Sequence, residues 1–192
     1  WTAVDLGDPV RALVSARAGG VSQAPYNACN LGYHVGDDPV AVTHNRALLA
    51  AHMQAEPVWL TQVHGTAVYP VQGLAEAQPA IPPQADAAMT RLPGVPLTVM
   101  TADCLPVLFC DRAGSVVAAA HAGWRGLLDG ILEVTIAAMQ RPPADLLAWF
   151  GPAIGPACFE VGGEVRAAFV ACDAQAAGSF RPHGDKWLAD IY

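Results

Sequence analysis

The chain has 192 residues, of which 53% are apolar and 14% charged, and its formal net charge is −7 at pH 7. This length suffices for one domain with a sizeable core, and the apolar content argues against disorder. The negative charge disfavours general binding to nucleic acid, and no apolar run reaches the roughly 18–20 residues that a membrane-spanning helix needs. The five cysteines form no CxxC pair, which favours reduced thiols and a cytoplasmic location.

The first half of the chain predicts short strands around one long helix. Strands are predicted at 11–16, 58–60 and 67–71. Residues 22–37, rich in Asn, Gly, Pro and Ser, predict a long ordered loop. A helix is predicted to begin at Asp38-Pro39 and to run to about residue 54, because Pro is favoured in the first helical turn.

The second half alternates buried strands with helices. Strands are predicted at 95–100, 105–110, 116–120 and 146–150, and helices at 123–139 and 164–172. The interleaving of the two element types predicts an α/β (α+β) class, with residues 1–192 forming a single domain.

Three potential metal ligands stand at the ends of apolar runs. His64 lies in a turn between two strands, Cys104 at a break between two strands, and His121 at the end of a strand. Two imidazoles and a thiolate, with one open position, are typical of catalytic zinc, and soft sulfur also admits copper. The spacing includes no local ligand pair, so residue types alone favour the alternative of a buried small thiol and two histidines with structural hydrogen bonds.

The segment that follows His121 indicates an anion site. Gly123 opens a helix whose N–H groups are unpaired, and Arg125 adds donors suited to phosphate. Arg17, followed by two glycines, is a second cationic candidate. Alternatively the glycines only permit tight packing, and Arg125 pairs with Asp129.

Two carboxylates are candidates for acid–base chemistry. Asp103 is adjacent to Cys104 and can orient a ligand or accept a proton. Glu160 follows the rigid loop Gly151–Pro156, although an exposed surface role is the alternative. Asp86 is interpreted only as the start of a turn before an apolar strand. The histidines expected to be structural or exposed are His34, His44, His52 and His183.

Several motifs in the same order resemble one bacterial family. They are Thr61-Gln-Val-His-Gly65, Thr101-Ala-Asp-Cys104, His121-Ala-Gly-Trp-Arg-Gly126 and Gly151-Pro-Ala-Ile-Gly-Pro156, together with Arg17–Ser22, Asn30-Leu-Gly32 and Phe159–Gly162. This family is variously named polyphenol oxidase (laccase-like), peptidoglycan editing factor and purine nucleoside phosphorylase.

The resemblance implies a four-layer α/β/β/α sandwich with mixed sheets and a metal held by His64, Cys104 and His121. It implies phosphorolysis of adenosine, inosine and methylthioadenosine, and deamination of adenosine. Zinc is the expected ion and copper, with phenol oxidation, the alternative. The family usually continues beyond the position of Tyr192, so the chain is expected to lack a C-terminal segment.

The expected partners are therefore small molecules, a purine nucleoside and phosphate, bound by a protein for which a monomer is favoured. Arg17, Arg125 and Gly123 are the predicted phosphate-binding residues. Deamination would use a zinc-activated water and a proton-shuttling carboxylate, either Asp103 or Glu160.

Other functions stay open at this point. Cys104 with His121 as its base would suit an amide hydrolase or deamidase. A metal- or nucleoside-binding factor without turnover, acting in peptidoglycan editing, is the non-enzymatic alternative. Laccase activity is less favoured than purine nucleoside chemistry, because oxygen reduction normally uses several copper ions, whereas the sequence offers one convincing ligand set.

Overall fold

The computed structural model describes residues 2–192. The strands are β1 (Thr2–Val4), β2 (Ala12–Val14), β3 (Val68–Val71), β4 (Ala87–Thr90), β5 (Leu105–Asp111), β6 (Val117–Ala122), β7 (Leu146–Phe150), β8 (Glu160–Val161), β9 (Phe180–His183) and β10 (Lys186–Ala189). The helices are α1 (Pro39–Met53), α2 (Leu74–Ala77), α3 (Trp124–Leu128), α4 (Ile131–Met139) and α5 (Gly163–Cys172), and 3₁₀ turns lie at Tyr33–Val35, Pro143–Asp145 and Ala174–Ser179.

A five-stranded sheet of order β3-β4-β6-β5-β7 organises the structure. Its β3–β4 pair is parallel, and the other three pairs are antiparallel. Two smaller antiparallel sheets have the orders β1-β2 and β8-β10-β9. These mixed sheets and their helices confirm the predicted α/β (α+β) class.

The alternation of side chains along β5 explains how the central sheet is covered. Leu105, Val107 and Phe109 pack with Ile131 and Met139 of α4 on one face. The opposite face carries Leu108 and Cys110, which pack with residues of β1 and β2. Both faces of β5 are therefore buried, as its nearly continuous apolar sequence predicts.

A second cluster joins the small C-terminal sheet to the helix that follows β6. Val161, Val165 and Ala189 are buried, and Trp124 of α3 packs against them. The sequence did not predict β9 and β10, which pair directly across the Gly184 turn.

Three predicted elements are wrong in detail. Residues 95–100 form no strand, and only an isolated bridge joins Leu97 to Val58, so the predicted strand at 58–60 also reduces to this bridge. The predicted helix over 123–139 is interrupted, because Gly130 adopts a φ of 92° between α3 and α4. No helix in the described part of the chain is long and apolar enough to cross a bilayer.

Helix α4 offers a test of the core. Ile131 is fully buried, whereas Val134 on the same helix is 43% exposed. We expect Ile131→Ala to lower the free energy of unfolding by about 2–5 kcal/mol, because it leaves a cavity against the sheet. Val134→Ala is the matched control and should cost well under about 1 kcal/mol in denaturant titrations. Equal losses for both variants would contradict the packing described.

Candidate metal centre

The His64 turn is anchored by one buried carboxylate. The backbone N–H groups of Val63, His64 and Gly65 donate to the carboxylate oxygens of Asp86 at 3.1, 2.9 and 2.8 Å. His64 itself has a φ of 60°, an uncommon conformation for a residue with a side chain. The three hydrogen bonds hold the turn in this conformation and leave the His64 side chain exposed.

The same carboxylate orients His121. Nδ1 of His121 lies 2.9 Å from Oδ1 of Asp86, and both side chains are buried. The His121 backbone N–H also donates to the Asp86 carbonyl at 2.7 Å. Since an ionised carboxylate only accepts, Nδ1 carries the hydrogen and Nε2 is left as an electron-pair donor. A carboxylate behind a histidine is the usual arrangement for a metal-binding imidazole.

Strand pairing brings Cys104 to the same place. Leu105 of β5 pairs with Ala122 of β6, so Cys104, just before β5, lies beside the end of β6. One ligand atom each from His64, Cys104 and His121 lies within 4.8 Å of the other two. The two imidazole rings meet edge to face, with centroids 4.9 Å apart and an interplanar angle of 79°.

Gly123 provides the space in which the three side chains meet. A Cβ atom there would lie 2.8 Å from Cδ2 of His64 and 3.1 Å from Sγ of Cys104. The first distance is shorter than van der Waals contact permits. Gly123 thus lies against all three candidate ligands, and its contacts are compatible with the predicted alternative that the glycine permits close packing.

The electrostatics of the cluster suit a cation. Burial lowers the pKa of His121, although its hydrogen bond to Asp86 opposes the shift, so the imidazole is neutral near pH 7. Burial raises the pKa of the Cys104 thiol, and the negative charges of Asp103 and Asp86 raise it further. A divalent ion would offset that penalty by stabilising the thiolate. Two nitrogen donors and one sulfur donor fit zinc and also copper.

The candidate acid–base residues differ in their surroundings. Asp103 is exposed beside Cys104, and its carbonyl accepts a hydrogen bond from the Ile154 N–H at 2.9 Å. Glu160 is engaged elsewhere: its carboxylate lies 2.6 Å from Nζ of Lys186 and 3.7 Å from Nε2 of His183. A catalytic role for either carboxylate stays a prediction, and the contacts favour Asp103.

The predicted phosphate-binding arginines are both exposed. Arg17 donates through Nε and Nη2 to the Asn27 carbonyl at 3.3 and 3.0 Å. The Arg125 guanidinium stacks over the ring of Trp124, 4.3 Å from its centroid. Within residues 2–192 Arg125 forms no ion pair with Asp129. A phosphate-binding role for Arg17, Arg125 and Gly123 stays a prediction.

Asp86 is the residue that sequence reasoning missed. Its position before an apolar strand was interpreted as the start of a turn, yet the residue is fully buried and makes contacts with both histidine ligands. A carboxylate directly before the Ala-rich run of β4, where a core residue is expected, was the available signal. The other four histidines lie outside the cluster.

The fold and the cluster define an α/β protein in which three side chains are grouped so that they could hold a metal ion. Residues 11–192 match the family described as multi-copper polyphenol oxidoreductase laccase. The chain belongs to this family.

Relatives with curated names agree on another description. A Pseudomonas aeruginosa protein named purine nucleoside phosphorylase is 53% identical over 196 residues, covering 100% of this chain and 78% of that protein. Escherichia coli YfiH, also named purine nucleoside phosphorylase, is 55% identical over 185 residues, covering 95% of this chain and 74% of YfiH.

Solved structures show the same fold. The crystal structure of Neisseria meningitidis protein NMB0706 has a TM-score of 0.92 at 47% identity and covers 99% of this chain and 78% of that one. YlmD from Geobacillus stearothermophilus has a TM-score of 0.79 at 30% identity, over 91% of this chain and 70% of its own.

The crowding around Gly123 gives one prediction. We expect Gly123→Ala to displace the His64 ring and to weaken zinc binding by at least about 10-fold, as measured by competition with a chromophoric chelator. Gly178→Ala is the control, because a Cβ atom at Gly178 would meet nothing within 4 Å. Unchanged zinc affinity in Gly123→Ala would show that the three ligands do not meet at this point.

The role of Asp86 gives a second prediction. Asp86→Asn preserves the side-chain volume but removes the charge and one acceptor, so we expect zinc affinity to fall by roughly 10–100-fold. Asp111→Asn is the matched control: Asp111 is a buried carboxylate that accepts backbone hydrogen bonds at the opposite end of β5, about 20 Å away. If both variants lost stability and zinc affinity equally, Asp86 would have no special relation to the metal.

Proposed function

We propose that the chain is a zinc-dependent purine nucleoside enzyme that phosphorolyses adenosine, inosine and methylthioadenosine and hydrolytically deaminates adenosine. The observation that carries the proposal is the convergence of His64, Cys104 and His121 around Gly123. Asp86 supports this arrangement through its bonds to the His121 imidazole and to the His64 backbone N–H. The names of the relatives support the substrate class. We treat residues 1–192 as one metal-binding domain of a monomeric cytoplasmic protein.

The arrangement of the ligands suits a reaction at an accessible ion. Bound zinc would supply a Lewis acid that lowers the pKa of a coordinated water towards about 7. His121 is buried and held by Asp86, whereas His64 is exposed, so the cluster is approached from the His64 side. Asp103 is exposed next to Cys104 and can accept or return a proton there, as deamination requires.

Phosphorolysis places a different demand on the protein. It requires an anion to be held near the sugar and a proton for the departing base. Arg17 and Arg125 are exposed guanidinium groups, one bonded to a backbone carbonyl and the other stacked on Trp124. Guanidinium groups bind phosphate by paired N–H donors. These residues would bind the phosphate, and the closeness of Asp103 to Cys104 makes Asp103 the candidate proton donor.

Two alternatives have specific support. The description of the family favours copper and phenol oxidation, and the same three donors accept copper. The cluster of His64, Cys104 and His121 is the one group of three or more potential metal ligands found in residues 2–192, which fits a single-ion enzyme better than a multi-copper one. For a Cys–His amide hydrolase, the raised pKa of the Cys104 thiol is unfavourable, because the thiolate is the nucleophile.

The proposal is tested by incubating zinc-loaded protein with adenosine and phosphate and separating the products by chromatography. Adenine with ribose 1-phosphate indicates phosphorolysis, and inosine indicates deamination. We expect Cys104→Ala to lose bound zinc and at least about 100-fold of both activities, because one of three ligands is removed. Cys110→Ala is the control, since this buried thiol lies on the β1–β2 side of the sheet.

The arginines separate the two reactions. Arg125→Ala should raise the KM for phosphate in phosphorolysis, because a phosphate-binding group is removed. Deamination, which uses no phosphate, should be retained. Product from metal-free protein, or none from zinc-loaded protein, would contradict the proposed function. Phenol oxidation by copper-loaded protein in the absence of nucleoside turnover would favour the family's oxidase description.

A further inference from the structure

The segment that carries Cys104 lies outside the regular hydrogen bonding of the sheet. It runs from the isolated bridge at Leu97 to the start of β5 at Leu105. Two contacts hold its backbone between these points. One is the hydrogen bond from the Ile154 N–H to the Asp103 carbonyl, and the other is made by the side chain of Gln62 at Met100. Val99 of this segment also packs against the buried cluster around Val58, so between Met100 and Cys104 the backbone position depends on these hydrogen bonds.

The Gln62 amide binds both backbone groups of one residue. Its Oε1 accepts from the Met100 N–H at 2.7 Å, and its Nε2 donates to the Met100 carbonyl at 2.8 Å. The amide thus bonds the N–H and the carbonyl of Met100 in the way that a residue of a neighbouring strand would, with its donor and its acceptor both used. Two bonds from one planar group fix direction as well as distance, which a single hydrogen bond does not.

Gln62 lies two residues before His64, in the turn that Asp86 anchors. Met100 lies four residues before Cys104. The Gln62–Met100 contact thus joins the segment of one metal ligand to the segment of another. Asp86 supplies the corresponding link between His64 and His121.

Met100 is also restrained from its other side. Nη2 of Arg46 lies 3.7 Å from Sδ of Met100. The Arg46 guanidinium is itself stacked 3.7 Å from the ring centroid of Trp59 and 4.4 Å from that of Tyr33. Arg46 is thus held by two aromatic rings, and Met100 is contacted both by Arg46 and by Gln62.

We propose that Gln62 is a positioning residue of the metal centre: its two-point contact with Met100 sets the separation between the Cys104 sulfur and the His64 imidazole. The inference rests on the proposed metal centre and names a residue that does not itself bind the ion. Without the contact, Asp86 still orients the His121 imidazole and holds the backbone of the His64 turn, while the sulfur ligand loses its fixed position.

The test uses cobalt(II) as the probe, because its spectrum separates sulfur ligation from nitrogen ligation. Gln62→Met keeps the length of the side chain and removes both hydrogen bonds. We expect it to bind cobalt about 10-fold more weakly than wild type. Per bound cobalt, we expect a weaker near-ultraviolet thiolate-to-metal band, with the visible bands changed less. A purely structural role would lower the thermal stability of the metal-free protein and leave this spectrum unchanged.

Two further variants secure the comparison. Gln62→Glu keeps an acceptor for the Met100 N–H but replaces the donor with a second oxygen facing the Met100 carbonyl and adds a negative charge. Its thiolate-to-metal band should fall between those of wild type and Gln62→Met. Gln175→Met is the matched control. Gln175 is exposed on the 3₁₀ turn at Ala174–Ser179, and this turn lies more than 50 residues after His121 in the sequence. Its cobalt affinity and spectrum should equal those of wild type.

The outcomes distinguish this inference from the proposed function. A wild-type affinity and spectrum in Gln62→Met would overturn the role of Gln62 alone. Wild-type protein that binds no cobalt would overturn both the metal centre and the role of Gln62. The expected cobalt results, combined with no nucleoside product from the zinc-loaded enzyme, would support Gln62 as a positioning residue and contradict the proposed function.

Discussion

The candidate site depends on one buried carboxylate. Asp86 is fully buried, and its side chain accepts three backbone N–H bonds from the His64 turn and one bond from the His121 ring. Burying a carboxylate is costly unless its oxygens accept hydrogen bonds, and these four donors supply those bonds. Because Asp86 needs these donors, the His64 turn and the His121 ring are both held beside it. A nearby cation would stabilise the carboxylate further.

Strand pairing supplies the third ligand. The antiparallel register of β5 and β6 places Cys104 beside the end of β6, where Gly123 leaves room for the thiol and the His64 ring. The segment before Cys104 is held mainly by contacts with other loops, among them Gln62 and Ile154. The candidate metal centre therefore combines a part held at the sheet by Asp86 with a part held by hydrogen bonds from neighbouring loops.

Membership of the family does not by itself decide the reaction. The description of the family concerns copper oxidation, whereas the curated relatives are named purine nucleoside phosphorylases. A fold can support several chemistries. The residues that discriminate between them here are the three metal donors, the exposed carboxylate of Asp103 and the exposed arginines Arg17 and Arg125. One cluster of three ligands in residues 2–192, with Asp103 at its edge, favours chemistry at a single ion.

The sequence by itself determined the elements with strong local patterns. The apolar run of β5, the Asp38-Pro39 start of α1 and the helix α5 are each encoded within a few neighbouring residues, and the structure places them close to the predicted bounds. The break at Gly130 and the absence of a strand at 95–100 were not predicted, because a positive φ and a missing strand partner are set by packing against distant residues.

The candidate ligands His64, Cys104 and His121 were visible in the sequence by their residue types and by the family motifs. Their convergence and the roles of Asp86, Gly123 and Gln62 were decided by the tertiary structure. Each of these roles consists of a hydrogen bond or a close approach between segments far apart in the chain. A local pattern can indicate that a carboxylate or an amide is unusual, but only the folded chain determines which groups it meets.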